Sequence, residues 1–351
     1  PFVSLDLSTR YDEDGWMGEI RHLYRSGRFY ITGGGGRFSS EIKWNESAWI
    51  DPFPVTIPFP PFTYDPPPYP DGKPRDLDIR HTNFYLYSMI NFPKNVTWTI
   101  GGSLDFFKIK NGSMDRNQGN PKFGLTWDLL PGTTIRAAVF KTLKRELLSN
   151  QTIEPTQVAG FNQFFDDANG TEAWRWGVAV DQKFSKSLYG GVEYSERDVK
   201  EPEPFGSGFT PARTDRDEDM VRAYLYWTPH RWFSLSAEYQ YEWLERDPEF
   251  VGQEAFTKIK THRLPLGINF FHPSGFGAQF KATYVDQDGI FGSPVNELFP
   301  PVPGGDQFLV FDGSISYRLP KRFGIISIGA KNIFNNDFKF QDTDPANPVI
   351  S

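Results

Sequence analysis

The sequence predicts an all-β fold: a transmembrane antiparallel up-and-down β-barrel of about 15–16 strands, with short periplasmic turns and long extracellular loops. Three observations carry that expectation. Apolar and polar residues alternate with period two in segment after segment, and successive strand side chains point to opposite faces. Each run covers about ten residues, enough to cross a bilayer when tilted, where soluble strands average nearer five or six. The connections between runs alternate short and long.

The alternation starts at Val3–Tyr11 and returns at Trp98–Phe106, Phe123–Trp127, Trp174–Phe184, Leu188–Tyr194 and Val221–Trp227. It is clearest from Arg231 to Arg246. There Phe233, Leu235, Ala237, Tyr239, Tyr241 and Trp243 interleave with Ser234, Ser236, Glu238, Gln240, Glu242 and Leu244, giving one apolar and one polar face. Phe276–Tyr284 and Leu309–Leu319 follow. The short links are Arg25–Gly27, Pro93–Asn95, Pro131–Gly132, Ser185–Lys186, Pro229–His230, His272–Gly275 and Pro320–Lys321. Long polar links are expected at 34–76, 110–119, 146–171, 200–217, 247–257, 288–305 and 335–351. A soluble sandwich has no reason to sort its loops this way, whereas a barrel puts tight turns on one side of the membrane. Aromatics beside the short links, such as Phe92 with Trp98 and Phe271 with Phe276, fit an interfacial girdle; the plainer reading is that aromatics favour strands. About fifteen strand candidates end on the loop side at Phe334. Lipid tolerates no open edge, so a closing strand is expected beyond Ser351. Residues 1–351 are expected to form one barrel domain that lacks this strand and any upstream periplasmic domain.

Composition agrees. Aromatics make up 17% of a chain only 38% hydrophobic, too aromatic for disorder, and no apolar run is long enough for a transmembrane helix. With no Cys, disulfides, thiolate zinc sites and cysteine nucleophiles are excluded. A net charge of -7 disfavours a nucleic-acid partner. His22, His81, His230, His262 and His272 are scattered, so no metal site is expected, and no catalytic or cofactor fingerprint occurs. Asp215, Asp217, Glu218 and Asp219 form an acidic run that lacks calcium-loop spacing and reads as solvated charge.

The segment from Ile328 to Pro348 resembles the C-terminal region of TonB-dependent outer-membrane receptors, in which a strand of the form G-x-x-N-[IL]-F precedes a polar loop and the closing strand. Gly329, Asn332, Ile333 and Phe334 match that form. The run Asn120 to Arg145 also looks like a receptor hairpin. The resemblance implies a place in the bacterial outer membrane, contact with its lipid, and a periplasmic energy-coupling or export partner. That family's plug domain is absent from these residues.

Three candidate constellations emerge. Arg136, Arg175, Asp181, Glu193, Arg197, Arg222, Glu238, Glu242, Lys281, Asp312 and Arg318 are expected to line a polar lumen, or merely to pair across neighbouring strands and stiffen the wall. In the link 34–76, ten prolines within 52–74 surround Phe59, Phe62, Tyr64 and Tyr69, either a lid offering aromatic contacts or a stiff docking surface. In the link 146–171, Phe161, Phe164 and Phe165 are expected to pack inward, as a solute platform or by packing alone. The expected function is a non-enzymatic channel or transporter that passes a solute through a polar lumen restricted by inward-folded loops. The alternatives are the barrel part of a TonB-dependent ligand-uptake receptor, or an adhesive barrel docking a partner through its proline-rich loop.

Overall fold

Alternating polarity becomes one continuous antiparallel sheet in the computed structural model, which describes residues 5–50, 75–110, 114–145, 147, 151–205, 208–247, 256–291 and 300–341. Its first strands are β1 (Leu5–Arg25), β2 (Phe29–Ile50), β3 (Arg75–Asn91), β4 (Val96–Lys110), β5 (Met114–Leu130) and β6 (Thr133–Leu143). A small hairpin of β7 (Gln157–Val158) and β8 (Phe161–Asn162) interrupts the series. The sheet resumes with β9 (Glu172–Lys183), β10 (Leu188–Phe205), β11 (Gly208–His230), β12 (Phe233–Arg246), β13 (Phe256–Phe271), β14 (Phe276–Phe291), β15 (Val302–Arg318) and β16 (Ile325–Ala330). Fourteen strands pair in chain order from β1 to β16, with β7 and β8 as a separate pair, so the topology is up-and-down throughout.

Most strands are longer than the ten or so residues expected. β2 has 22 and β11 has 23. The expected long links 110–119 and 200–217 are therefore mostly ladder, since β5 starts at Met114 and β11 at Gly208. The link 34–76 is likewise shortened. Its run Gly33–Gly36 lies inside β2, paired with His22–Glu19 on one side and Leu86–Asn83 on the other. The cause is solvent. Beyond the bilayer both faces of a hairpin meet water, so the apolar half of the pattern disappears while backbone pairing continues. The short turns fall where expected, except that β11 runs through Pro229 and His230, and His230 still pairs with Phe233. Residues 51–74, with Phe59, Phe62, Tyr64 and Tyr69, lie outside the described residues.

The two faces invert the arrangement of a water-soluble sheet. Along β9 the buried residues are Ala173, Arg175, Gly177, Ala179 and Asp181, while Trp174, Trp176, Val178 and Val180 are exposed. Ile100, Leu104 and Phe106 on β4 and Leu264, Leu266 and Ile268 on β13 extend the exposed apolar face. An apolar surface of that extent needs lipid beside it. Near the short turns, Phe92, Phe184, Phe271 and Phe276 are exposed, Trp98 lies 5.9 Å from Phe123 and Phe233 lies 5.2 Å from Phe270, which forms an aromatic border at that end.

Candidate functional site

Part of the opposite face is covered by the connection between β6 and β9, whose described residues 144, 145, 147 and 151–171 lie across it as a strap. The legs of the strap leave the sheet together: the Lys144 amide donates to the Thr171 carbonyl at 2.7 Å and the Gly170 amide to the Lys144 carbonyl at 2.9 Å. The tip is the β7–β8 hairpin, turned by Ala159 (φ 48) and Gly160 (φ 88), the positive angles such a two-residue turn requires. Val158 and Phe161 beside the turn are fully buried. They fit because the strands beneath carry glycine. A Cβ at Gly177 would come within 2.4 Å of the Phe161 ring, and one at Gly124 within 3.0 Å of Val158.

Polar anchors hold the strap at successive strands. On β1, Glu19 accepts the Thr152 hydroxyl at 2.7 Å and the Ile153 amide at 2.9 Å, and Arg21 donates to the Ile153 carbonyl at 2.8 Å. On β3, Asn83 and Tyr87 donate to Glu154 at 3.0 and 2.8 Å; Arg145, at the strap's own base, completes the site at 2.8 Å. Both partners of that ion pair are less than 5% exposed. On β6, Arg136 joins Asp181 (2.6 Å) and Glu193 (3.1 Å) and reaches the Ala159 carbonyl. On β9, Arg175 donates to the Asn162 carbonyl and to the Ser195 hydroxyl, each at 2.8 Å.

The last anchor has the most charge. Asp167 gives one oxygen to Arg197 of β10 at 2.5 Å and the other to Arg216 of β11 at 2.7 Å. Glu218 accepts from Arg197 and stands 2.7 Å from Arg216 as an ion pair, Glu201 accepts from Arg216, and Arg246 of β12 lies 3.4 Å from Glu201. Phe165 lies against two guanidiniums, with Arg197 at 3.7 Å and Arg175 at 4.9 Å from its ring centre. Burial alone would raise the Asp167 carboxyl, but Arg197 and Arg216 outweigh it and hold the group below the usual carboxylate range.

All eleven residues expected on the polar face share one side of the ladder, where Glu193 pairs in register with Arg222, Arg222 with Gln240, and Lys281 with Asp312. Arg136, Arg175, Asp181, Glu193 and Arg197 gather around the strap. Arg222 pairs with Glu238 at 3.2 Å, and Asp312 accepts the Asn332 amide at 3.0 Å. Glu242 is part-buried, whereas Lys281 and Arg318 stay exposed. Of the strap aromatics, Phe161 is buried, Phe165 is stacked as above, and Phe164 faces Arg145 at 5.6 Å. Asn83, Tyr87, Arg145, Glu154 and Arg216 carry no signal in the alternation, and neither does the pairing of Asp167 with Arg197 and Arg216. The signal that could have found them is the glycine placed mid-strand at Gly124 and Gly177, which marks a close approach. His81 is buried against Asp105 at 2.8 Å, and no metal-holding group of side chains occurs among the described residues.

Residues 2–169 match the family model described as TonB dependent receptor-like, beta-barrel. No curated protein matches the chain in sequence. Among solved structures, the ferripyoverdine receptor of the outer membrane of Pseudomonas aeruginosa is 11% identical, over 95% of this chain and 46% of that one, with a TM-score of 0.59. The FrpB iron transporter from Neisseria meningitidis is 13% identical, over 93% of this chain and 51% of that one, with a TM-score of 0.60. The outer membrane transporter YddB from Escherichia coli is 12% identical, over 94% and 51%, with a TM-score of 0.55. The chain spans about half the length of these structures.

Proposed function

Because this chain is a β-barrel of the TonB-dependent receptor-like kind, in the bacterial outer membrane, we propose that it passes a solute along its polar face and that the strap restricts the passage. One observation carries this reading: the strap crosses the polar face from Glu19 on β1 to Arg216 on β11, held by side chains at each stage. Charged groups on that wall give water a continuous polar surface, while the apolar face meets lipid. The strap works as a constriction and no bond chemistry is involved. Replacing residues 151–167 with a short Gly-Ser linker is expected to raise single-channel conductance in planar bilayers with the wall still folded. Equal conductance in parent and strapless protein overturns the reading.

The family match favours a more specific version, in which a captured ligand is taken up with energy from a periplasmic coupling partner. In that version the isolated protein stays closed and moves ligand only when coupled. Uptake by whole cells, measured with and without a proton-motive force, separates it from a passive pore.

A further inference from the structure

We propose that Arg197 and Arg216 form a carboxylate-binding seat, filled in this structure by the strap's own Asp167, and that a solute bearing a carboxylate displaces Asp167 and lifts the strap. The inference rests on the strap acting as the constriction. Its geometry is that of ligand recognition: each oxygen of one carboxylate meets a different guanidinium, at 2.5 and 2.7 Å, with the Asp167 side chain only 9% exposed. Guanidinium donors in a fixed fork suit a planar two-oxygen anion better than an ammonium would.

Charge balance makes the seat receptive once the strap leaves. Around it stand Arg175, Arg197, Arg216 and Arg246, and the wall carboxylates facing them are Glu201 and Glu218. Glu193 is the next nearest and is engaged by Arg136. Withdrawing Asp167 leaves Arg175, Arg197, Arg216 and Arg246 against Glu193, Glu201 and Glu218 among the described residues, an excess of positive charge in a partly dry site that draws in an anion. Arg175 sharpens the point. It is only 4% exposed, its hydrogen bonds go to a carbonyl and a hydroxyl rather than a carboxylate, and its Nε has no partner among the described residues. A purely structural seat would gain as much from apolar side chains, because burying arginines is costly. Phe165, withdrawn together with Asp167, would free the faces of Arg175 and Arg197 as well.

The chain contains no cysteine, so Val158→Cys places a single thiol at the buried tip of the strap. Maleimide labelling of the full-length protein in liposomes then reports release. Succinate is expected to speed labelling about tenfold, the scale of losing charge-assisted hydrogen bonds, while neutral succinamide leaves it unchanged. Asp167→Asn in the same background is expected to label fast without ligand, and Asp167→Glu to restore slow labelling, which separates loss of charge from misfolding. The proposal is overturned by equal rates in succinate and succinamide, by slow labelling of Asp167→Asn, or by an equal response to inorganic phosphate, which would replace a carboxylate seat with a general anion site. Failure of the constriction reading shows separately, as unchanged conductance on strap removal with carboxylate-dependent labelling intact.

Discussion

Glu154 accepts from three side chains, Asn83 and Tyr87 of β3 and Arg145 at the base of the strap, and Arg145 is the one that neutralises it. Removing one member of a buried ion pair strands the other charge, at a cost of about 3–5 kcal/mol. Arg145→Met is therefore expected to loosen the strap, read as lower protection of strap amides from hydrogen exchange with the wall amides unaffected. Asp167 supplies a pH prediction. Its folded carboxyl lies below the ordinary aspartate range of about 4, so its contribution is fully present above that range and is lost only as pH falls through the lower folded value. Strap protection is expected to hold through mild acid and to drop only in strong acid; loss already near neutral pH would contradict the Arg197–Asp167–Arg216 arrangement. These residues show how far the sequence could be read. Parity alone places Arg136, Arg175 and Arg197 on one face. It is silent on Asp167 with Arg216, which meet across 49 positions through a segment with no period.

For the strap as an element, contact depends on what the strands beneath omit. Gly177→Ala puts a methyl within 2.4 Å of Phe161, where only a shift of the hairpin relieves the clash. Overpacking of this kind costs about 1–3 kcal/mol. The variant is expected to keep its β content by circular dichroism while the strap becomes sensitive to protease; an unchanged digestion pattern would mean the hairpin does not rest on β9. Strand length was the least legible element property. β10 and β11 pair as far as Phe205 and Gly208, through charged and proline-bearing sequence that reads as a loop. Propensity and polarity there were overridden by a ladder already set in register lower down.

The whole molecule is a sheet whose wet side carries arginines and whose exposed side carries tryptophans, and that contrast was the most legible feature in the sequence, because every strand repeats it. It makes a test of the membrane face. Val178→Arg, flanked by Trp176 and Val180, is expected to destabilise the protein by about 2–4 kcal/mol if it lies near the bilayer midplane, measured by urea titration in liposomes. Lys281→Ala, on the other side of the ladder and exposed, is expected to change stability little.

The strap's anchors are divided in chain order. Asn83 and Tyr87 precede it, whereas Arg175, Arg197 and Arg216 follow it. It cannot finish docking until strands from both halves stand beside one another. A slip of one residue in β10 would turn Arg197 to the opposite face, and the same slip in β11 would turn Arg216, so either one breaks the Asp167 seat. The strap thus serves as a gauge of assembly: it closes only over a wall whose strands have been matched in the right register.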